Sequence, residues 1–147
     1  MHRIILFFLA FVIVGCAAER SSLTLQHAGG ISGLSESYSV DQDGNARKLV
    51  RWPEDTLKIA KQGVISSGLQ SQVVAFMKSH RNELDTIQLR GSGNLTTSIL
   101  IEAGGRSKNL QWANLDPPHL ATPTVDGLYS LLLKVEAEIA SFPDIHS

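Results

Sequence analysis

The chain has one cysteine, Cys16. No disulfide can form within it, so the hydrophobic core must hold the fold. It also lacks an apolar run long enough to cross a bilayer. The longest, Ile4 to Val14, has 11 residues, against about 20 for a spanning helix. Neither sign of charge dominates: 13 basic residues face 14 acidic ones. This balance does not favour a nucleic-acid partner, which would need a basic footprint. There is no internal repeat and no G-x-S-x-G nucleophile elbow; Gly30-Ile31-Ser32-Gly33 has the wrong spacing. The carboxylates are spread, without a pair at a telling separation. These absences argue against an enzyme and leave no cofactor to expect.

What is present begins at the N-terminus. Met1-His2-Arg3 is followed by the apolar run, which has the length of a secretory signal core. The run ends in Ile13-Val14-Gly15-Cys16, which resembles the lipobox of bacterial lipoproteins. That resemblance implies cleavage before Cys16 and acylation of its sulfur and amino group. It accounts for the lone thiol and leaves none for covalent catalysis. Several acyl chains on one residue give stable anchoring. Ala17, rather than aspartate, follows the cysteine, which resembles an outer-membrane address with the domain facing the periplasm. Residues 1–15 are thus read as signal peptide and 16–22 as lipidated cysteine and tether. Residues 23–142 form a single domain and 143–147 a tail. The 147 residues less the first 15 leave 132, one domain's length. The 13 basic residues less Arg3 leave 12, a net charge of −2.

Apolar and polar residues alternate over 23–27 and again over 34–40, as in half-buried strands. Asp43-Gly44 marks a tight turn, and Arg47 to Trp52 reads as a third strand ended by Pro53. Thr56 to Lys61 fits a strand or a helical turn, with strand the better reading. Ser67 and Gln70 have the spacing of a capping box. Leu69, Val73, Phe76, Met77, His80 and Leu84 then recur at helical spacing. Residues 91–94 form a loop. Thr97–Ala103 and Lys108–Ala113 are strands joined by a tight hairpin at Gly104-Gly105-Arg106. Thr122 reads as an N-cap with Pro123 at the first helical position. Val125, Leu128, Leu132, Val135, Ile139 and Phe142 form one seam, which would serve as core or as a zipper for a partner helix. The expected fold is α+β, an antiparallel sheet of four to six strands packed with two helices.

Three candidate sites deserve weighing. His80 and Glu83 sit at i, i+3 on a helix and could hold a metal, but no third ligand lies near, and Asp116-Pro-Pro-His119 is equally short of ligands. No metal is therefore expected. Arg47, Lys48, Arg51, Lys58 and Lys61 make a mildly basic arm that reads as a solvated, lysine-guarded sheet edge. The third is the stretch Gly29-Gly30-Ile31-Ser32-Gly33. A phosphate cradle would need a helix after the glycines, and a strand pattern follows instead. The glycines either fold a hairpin or bulge, or shape a loop that a partner protein reads.

The order of these features resembles a known family. A strand, Gly29-Gly30-x-x-Gly33-Leu34, a strand ending in Val40-Asp41 and a helix come first. Thr96-x-Ser98-Ile99-x-Ile101-Glu102, a Gly104-Gly105-Arg106 turn, a strand, prolines and a last helix follow. Over residues 23 to 140 this resembles the emfourins, small bacterial inhibitors of thermolysin-like zinc metalloproteases, whose signature S-G-G-F-A-G corresponds to the stretch from Ala28 to Gly33. Ile31 stands at the family's aromatic position, and the lipoprotein signal is a second departure. The resemblance implies a compact α+β domain whose loops contact a metalloprotease, and the domain is expected to be a monomer. The expectation is a lipid-anchored envelope protein that inhibits such a protease; the alternative is a non-catalytic envelope lipoprotein that binds another protein or a cell-surface component.

Overall fold

The computed structural model describes residues 20–115 and 122–145. It contains a six-stranded antiparallel sheet and two helices, the expected α+β class. The elements are β1 (Ser22–Gly29), β2 (Ser35–Asp41), β3 (Asn45–Arg51), β4 (Lys58–Val64), α1 (Ser67–Thr86), β5 (Leu95–Ala103), β6 (Arg106–Ala113) and α2 (Pro123–Ala140). The sheet order is β4-β3-β2-β1-β5-β6. Four consecutive strands form a meander, and α1 then carries the chain back so that β5 pairs with the free edge of β1.

Period-two alternation decides which face is buried. Leu23 and Leu25, Tyr38 and Val40, Ile99 and Ile101, and Leu110 and Trp112 all enter one core with the helices. The intervening positions carry Thr24, Gln26, Ser37, Ser39 and Ser98, which the register sets side by side on the other face. An antiparallel sheet tolerates one such polar, solvated face. The seam on α2 belongs to the core: Val125, Leu128, Leu132, Val135 and Ile139 are wholly buried. Each such side chain contributes roughly 1.5–3 kcal/mol relative to exposure. Trp112 meets Tyr129 edge-to-face at 5.7 Å. Its Nε1 is buried with no hydrogen-bond partner among the described residues.

The turns follow their sequence signals. Gly104 and Gly105 both have positive φ, which a two-residue hairpin of the twist-matched type requires. Thr122 caps α2, its Oγ1 accepting the Val125 N–H at 3.4 Å, with Pro123 at the first helical position.

Two expectations need correction. The capping box at Ser67 and Gln70 does not form. The N-cap is Ser66, and its side chain makes no cap hydrogen bond. Gln70 instead donates to the Gln42 carbonyl at 3.1 Å, tying α1 to the β2–β3 turn. The basic arm is not a uniformly solvated edge. Lys48 pairs with Glu36 at 2.6 Å. Lys61 lies across the C-terminus of α2, donating to the carbonyls of Ala140 at 3.0 Å and Phe142 at 2.7 Å. A bulge makes this reach possible: the β3–β4 register slips between Lys48 and Leu49, leaving Ala60 out of the ladder. The Ala60 carbonyl then accepts the Ile145 N–H at 2.9 Å, so the segment after α2 lies along β4.

Candidate functional site

The glycine loop lies between β1 and β2, at the end of β1 remote from the N-terminus. Gly29, Gly30 and Gly33 all have positive φ, at 103°, 74° and 63°. Their backbones are tied down. The Gly30 N–H donates to the Asn94 carbonyl at 2.6 Å, the Gly29 N–H to Leu34 at 3.2 Å and the Gly33 N–H to Gly30 at 3.3 Å. The glycines do different work. A Cβ on Gly29 would overlap the Asn94 carbonyl, and one on Gly33 would meet the Pro53 ring at 2.7 Å; one on Gly30 would meet nothing within 4 Å. The tight turn projects Ile31, whose relative exposure is 104%. Ser32 folds inward enough for its Oγ to accept the Leu34 N–H at 3.4 Å. The result is a braced loop with one bare aliphatic side chain at its tip.

Beside the loop lies an open depression of about 420 Å³. His27, Ser32, Leu34, Glu36, Leu95, Leu115, Tyr129, Leu133 and Glu136 line it, together with the Gly29 backbone. Leu115 and Leu133 are exposed, so apolar rim and polar floor adjoin the Ile31 tip. Strand register assembles the floor, because His27 lies opposite Glu36 on β2 and opposite Thr97 on β5. The Thr97 hydroxyl donates to the Asn114 carbonyl at 2.7 Å. Its only proton is then used, so Thr97 must accept from His27 Nδ1 at 3.1 Å. Nδ1 therefore carries a proton, and Nε2 lies 3.8 Å from the Glu136 carboxylate of α2. Asn114 holds its carbonyl there in a left-handed conformation, φ 72°.

Within the depression's lining, Glu36 is held by Lys48 and by the Tyr38 hydroxyl at 3.4 Å, and the Lys48 ammonium sits 5.2 Å from the Tyr38 ring centre. Burial raises the Tyr38 phenol above its ordinary value, with the Glu36 charge adding to the rise and the Lys48 contact opposing it. Burial alone would lower the Lys48 ammonium, but its bonds to Glu36 and Tyr38 outweigh burial and raise it. These groups form a closed ion-pair network rather than a poised acid and base.

His80 and Glu83 do meet, at 3.4 Å. The pair has a structural occupation: the His80 ring stacks on Phe76 at 4.5 Å. The Thr124 hydroxyl, and then His80, hold the Glu83 carboxyl below its usual range. Among the described residues no three His, Cys, Asp or Glu groups converge as metal ligands would. Cys16 and Asp116–His119 lie outside the described residues.

The loop was legible from its glycines. The depression was not, because Glu136 joins it from the far end of the chain. A hairpin register counted outward from the glycines would have set Glu36 opposite His27, which is the one local signal available. Comparison with protein-family models and with curated proteins returns no match.

Proposed function

We propose that this chain is a lipoprotein of the bacterial envelope, anchored through an acylated Cys16, that uses the loop Gly29-Gly30-Ile31-Ser32-Gly33 to bind and inhibit a thermolysin-like metalloprotease. The observation that carries the binding element is Ile31: a fully exposed aliphatic side chain on a loop braced by three backbone hydrogen bonds. A braced loop loses little entropy on docking, and such preorganisation is what makes inhibitor loops effective. An exposed aliphatic tip entering an apolar subsite would contribute roughly 1.5–3 kcal/mol. The protease as target rests on the resemblance to emfourins in element order and in the glycine signature. The second reading keeps the anchor and the loop but gives it another protein or a cell-surface component as partner; isoleucine in place of the family's aromatic favours it.

Thermolysin and the producing cell's own related protease, assayed on a peptide substrate, decide between the two. The expected result is inhibition by the lipoprotein in detergent and its loss in Ile31→Asp at unchanged melting temperature. Full proteolytic activity in the presence of the wild type would end the inhibitor reading. Palmitate-analogue labelling that persists in Cys16→Ser would end the lipid-anchor reading.

A further inference from the structure

A second surface lies at the opposite end of β1 from the glycine loop. There the flank of α1 and the ends of β1 and β5 enclose a groove of about 240 Å³, with Leu23, Val73 and Met77 in its lining. It continues past Met77 and Arg81 into a second hollow of about 250 Å³ beside β6. Val74, Lys78 and Arg81 recur at i, i+4 and i+7, so they form one stripe on α1 facing this channel. Arg106 and Lys108 face it from β6. Among the described residues, four cations thus rim an apolar channel, and Asp85 is the only acidic residue lining either part. The Lys108 ammonium bonds the Asp85 backbone carbonyl at 3.1 Å. Two carboxylates at the same end of the sheet, Asp41 and Glu102, line a separate hollow instead; Glu102 accepts from Ser22 Oγ at 2.7 Å, and Asp41 bonds within the β2–β3 turn.

We infer that this channel is the membrane-facing surface of the domain and seats the headgroups of an anionic phospholipid leaflet. The inference rests on the lipid anchor proposed above. Chain length limits where the domain can sit. Three residues separate Cys16 from Arg20, so four Cα-to-Cα steps give a reach of about 14 Å at full extension. Ser21 and Ser22 themselves line the channel. An acylated Cys16 therefore holds this end of the domain within touching distance of headgroups; the hollow on the other face of the sheet, which Arg20 and Ser22 also line, carries Asp41 and Glu102 and is the poorer match to an anionic leaflet. Charge complementarity gives the occupant: phosphates against Lys78, Arg81, Arg106 and Lys108, with Val74, 42% exposed, at the boundary. Each cation at an anionic leaflet strengthens contact about fivefold. Seated this way, β1 stands away from the leaflet and carries the glycine loop about 25 Å outward.

The test uses the acylated protein with a nitroxide on Val74→Cys or on Ile31→Cys, reconstituted in phosphatidylethanolamine vesicles with or without phosphatidylglycerol. Collisions with oxygen report membrane exposure, and collisions with a nickel chelate report water. The Val74 label is expected to be oxygen-accessible and nickel-shielded only when phosphatidylglycerol is present. It should return to water in Lys78→Gln with Arg81→Gln, a loss of roughly 25-fold in the contact equilibrium constant. The Ile31 label should stay in water throughout. A Val74 label in water on phosphatidylglycerol vesicles, or equally shielded without that lipid, overturns the proposal while the anchor stands. Protein that does not float with vesicles at all overturns the anchor and this proposal with it. The comparison of the two lipid compositions requires no substitution at the cations.

Discussion

Glu138, in the last turn of α2, closes the N-terminus of α1. Its carboxylate accepts the Ser66 backbone N–H and, at 3.1 Å, the Ser66 hydroxyl. Lys61 performs the converse service at the end of α2, where its ammonium meets the Ala140 and Phe142 carbonyls. Neither helix supplies these charges itself: α1 has no acid in its first turn and α2 no base in its last. An anion at a helix N-terminus and a cation at a C-terminus both oppose the helix dipole and satisfy orphan backbone groups. The two contacts also fix where the helices end relative to each other and to β4.

Glu138→Ala is therefore expected to lower stability by about 1 kcal/mol. Glu138→Gln, which keeps an acceptor but not the charge, should lie between the two. Thermal melts at low and high salt check this. The deficit of the alanine variant should shrink as salt screens the charge. A deficit independent of salt, with Gln equal to Ala, would mean that the carboxylate acts only by packing.

The Tyr38–Lys48 pair sets an alkaline limit. Both groups hold their protons more tightly in the folded chain than their ordinary values of 10.0 and 10.5. A raised native value means that the folded state keeps a proton the unfolded chain has released. Stability from these groups is thus complete below about pH 10 and is lost as pH rises through the native values. Urea midpoints of the wild type should fall more between about pH 9 and pH 11 than those of Tyr38→Phe combined with Lys48→Met. Equal falls would show that other groups govern the alkaline limit.

Much of the fold was legible because its signals are local. Period-two alternation set the faces of β1 and β2. Paired glycines placed the β5–β6 turn, and Thr122-Pro123 placed the start of α2. What was hidden depends on partners distant in sequence. Ser67 and Gln70 carry a capping box on paper, yet Glu138 occupies the N-terminus of α1 and Gln42 takes the glutamine. The basic residues of β3 and β4 look alike in sequence. The bulge at Ala60 and the neighbouring α2 terminus make Lys61 a helix cap, while Glu36 makes Lys48 one half of an ion pair. For the candidate site the same division holds. Glycines and an isoleucine at a turn tip are visible in eight consecutive residues, whereas the His27 floor needs β2, β5 and α2 in place.

The glycine loop gives the sharpest separation of packing from recognition. Gly29 and Gly30 share a positive φ, so alanine strains both. Only at Gly29 does an added Cβ also strike backbone, the Asn94 carbonyl that receives the Gly30 N–H. Gly30→Ala should cost about 1 kcal/mol, the usual penalty for alanine in a left-handed conformation. Gly29→Ala should cost clearly more, because β1 must separate from the Asn94 segment or the loop must rebuild. Denaturant melts of the two variants measure the difference. Equal losses would mean that the loop relaxes away from Asn94 without resistance, and then it is not the braced element described here. Partner binding should follow another order. Ile31→Asp removes the tip without touching the brace, so it should abolish binding at wild-type stability, whereas Gly30→Ala should bind normally through its folded fraction. Full binding by Ile31→Asp would assign recognition to the His27–Glu136 depression instead of the loop tip.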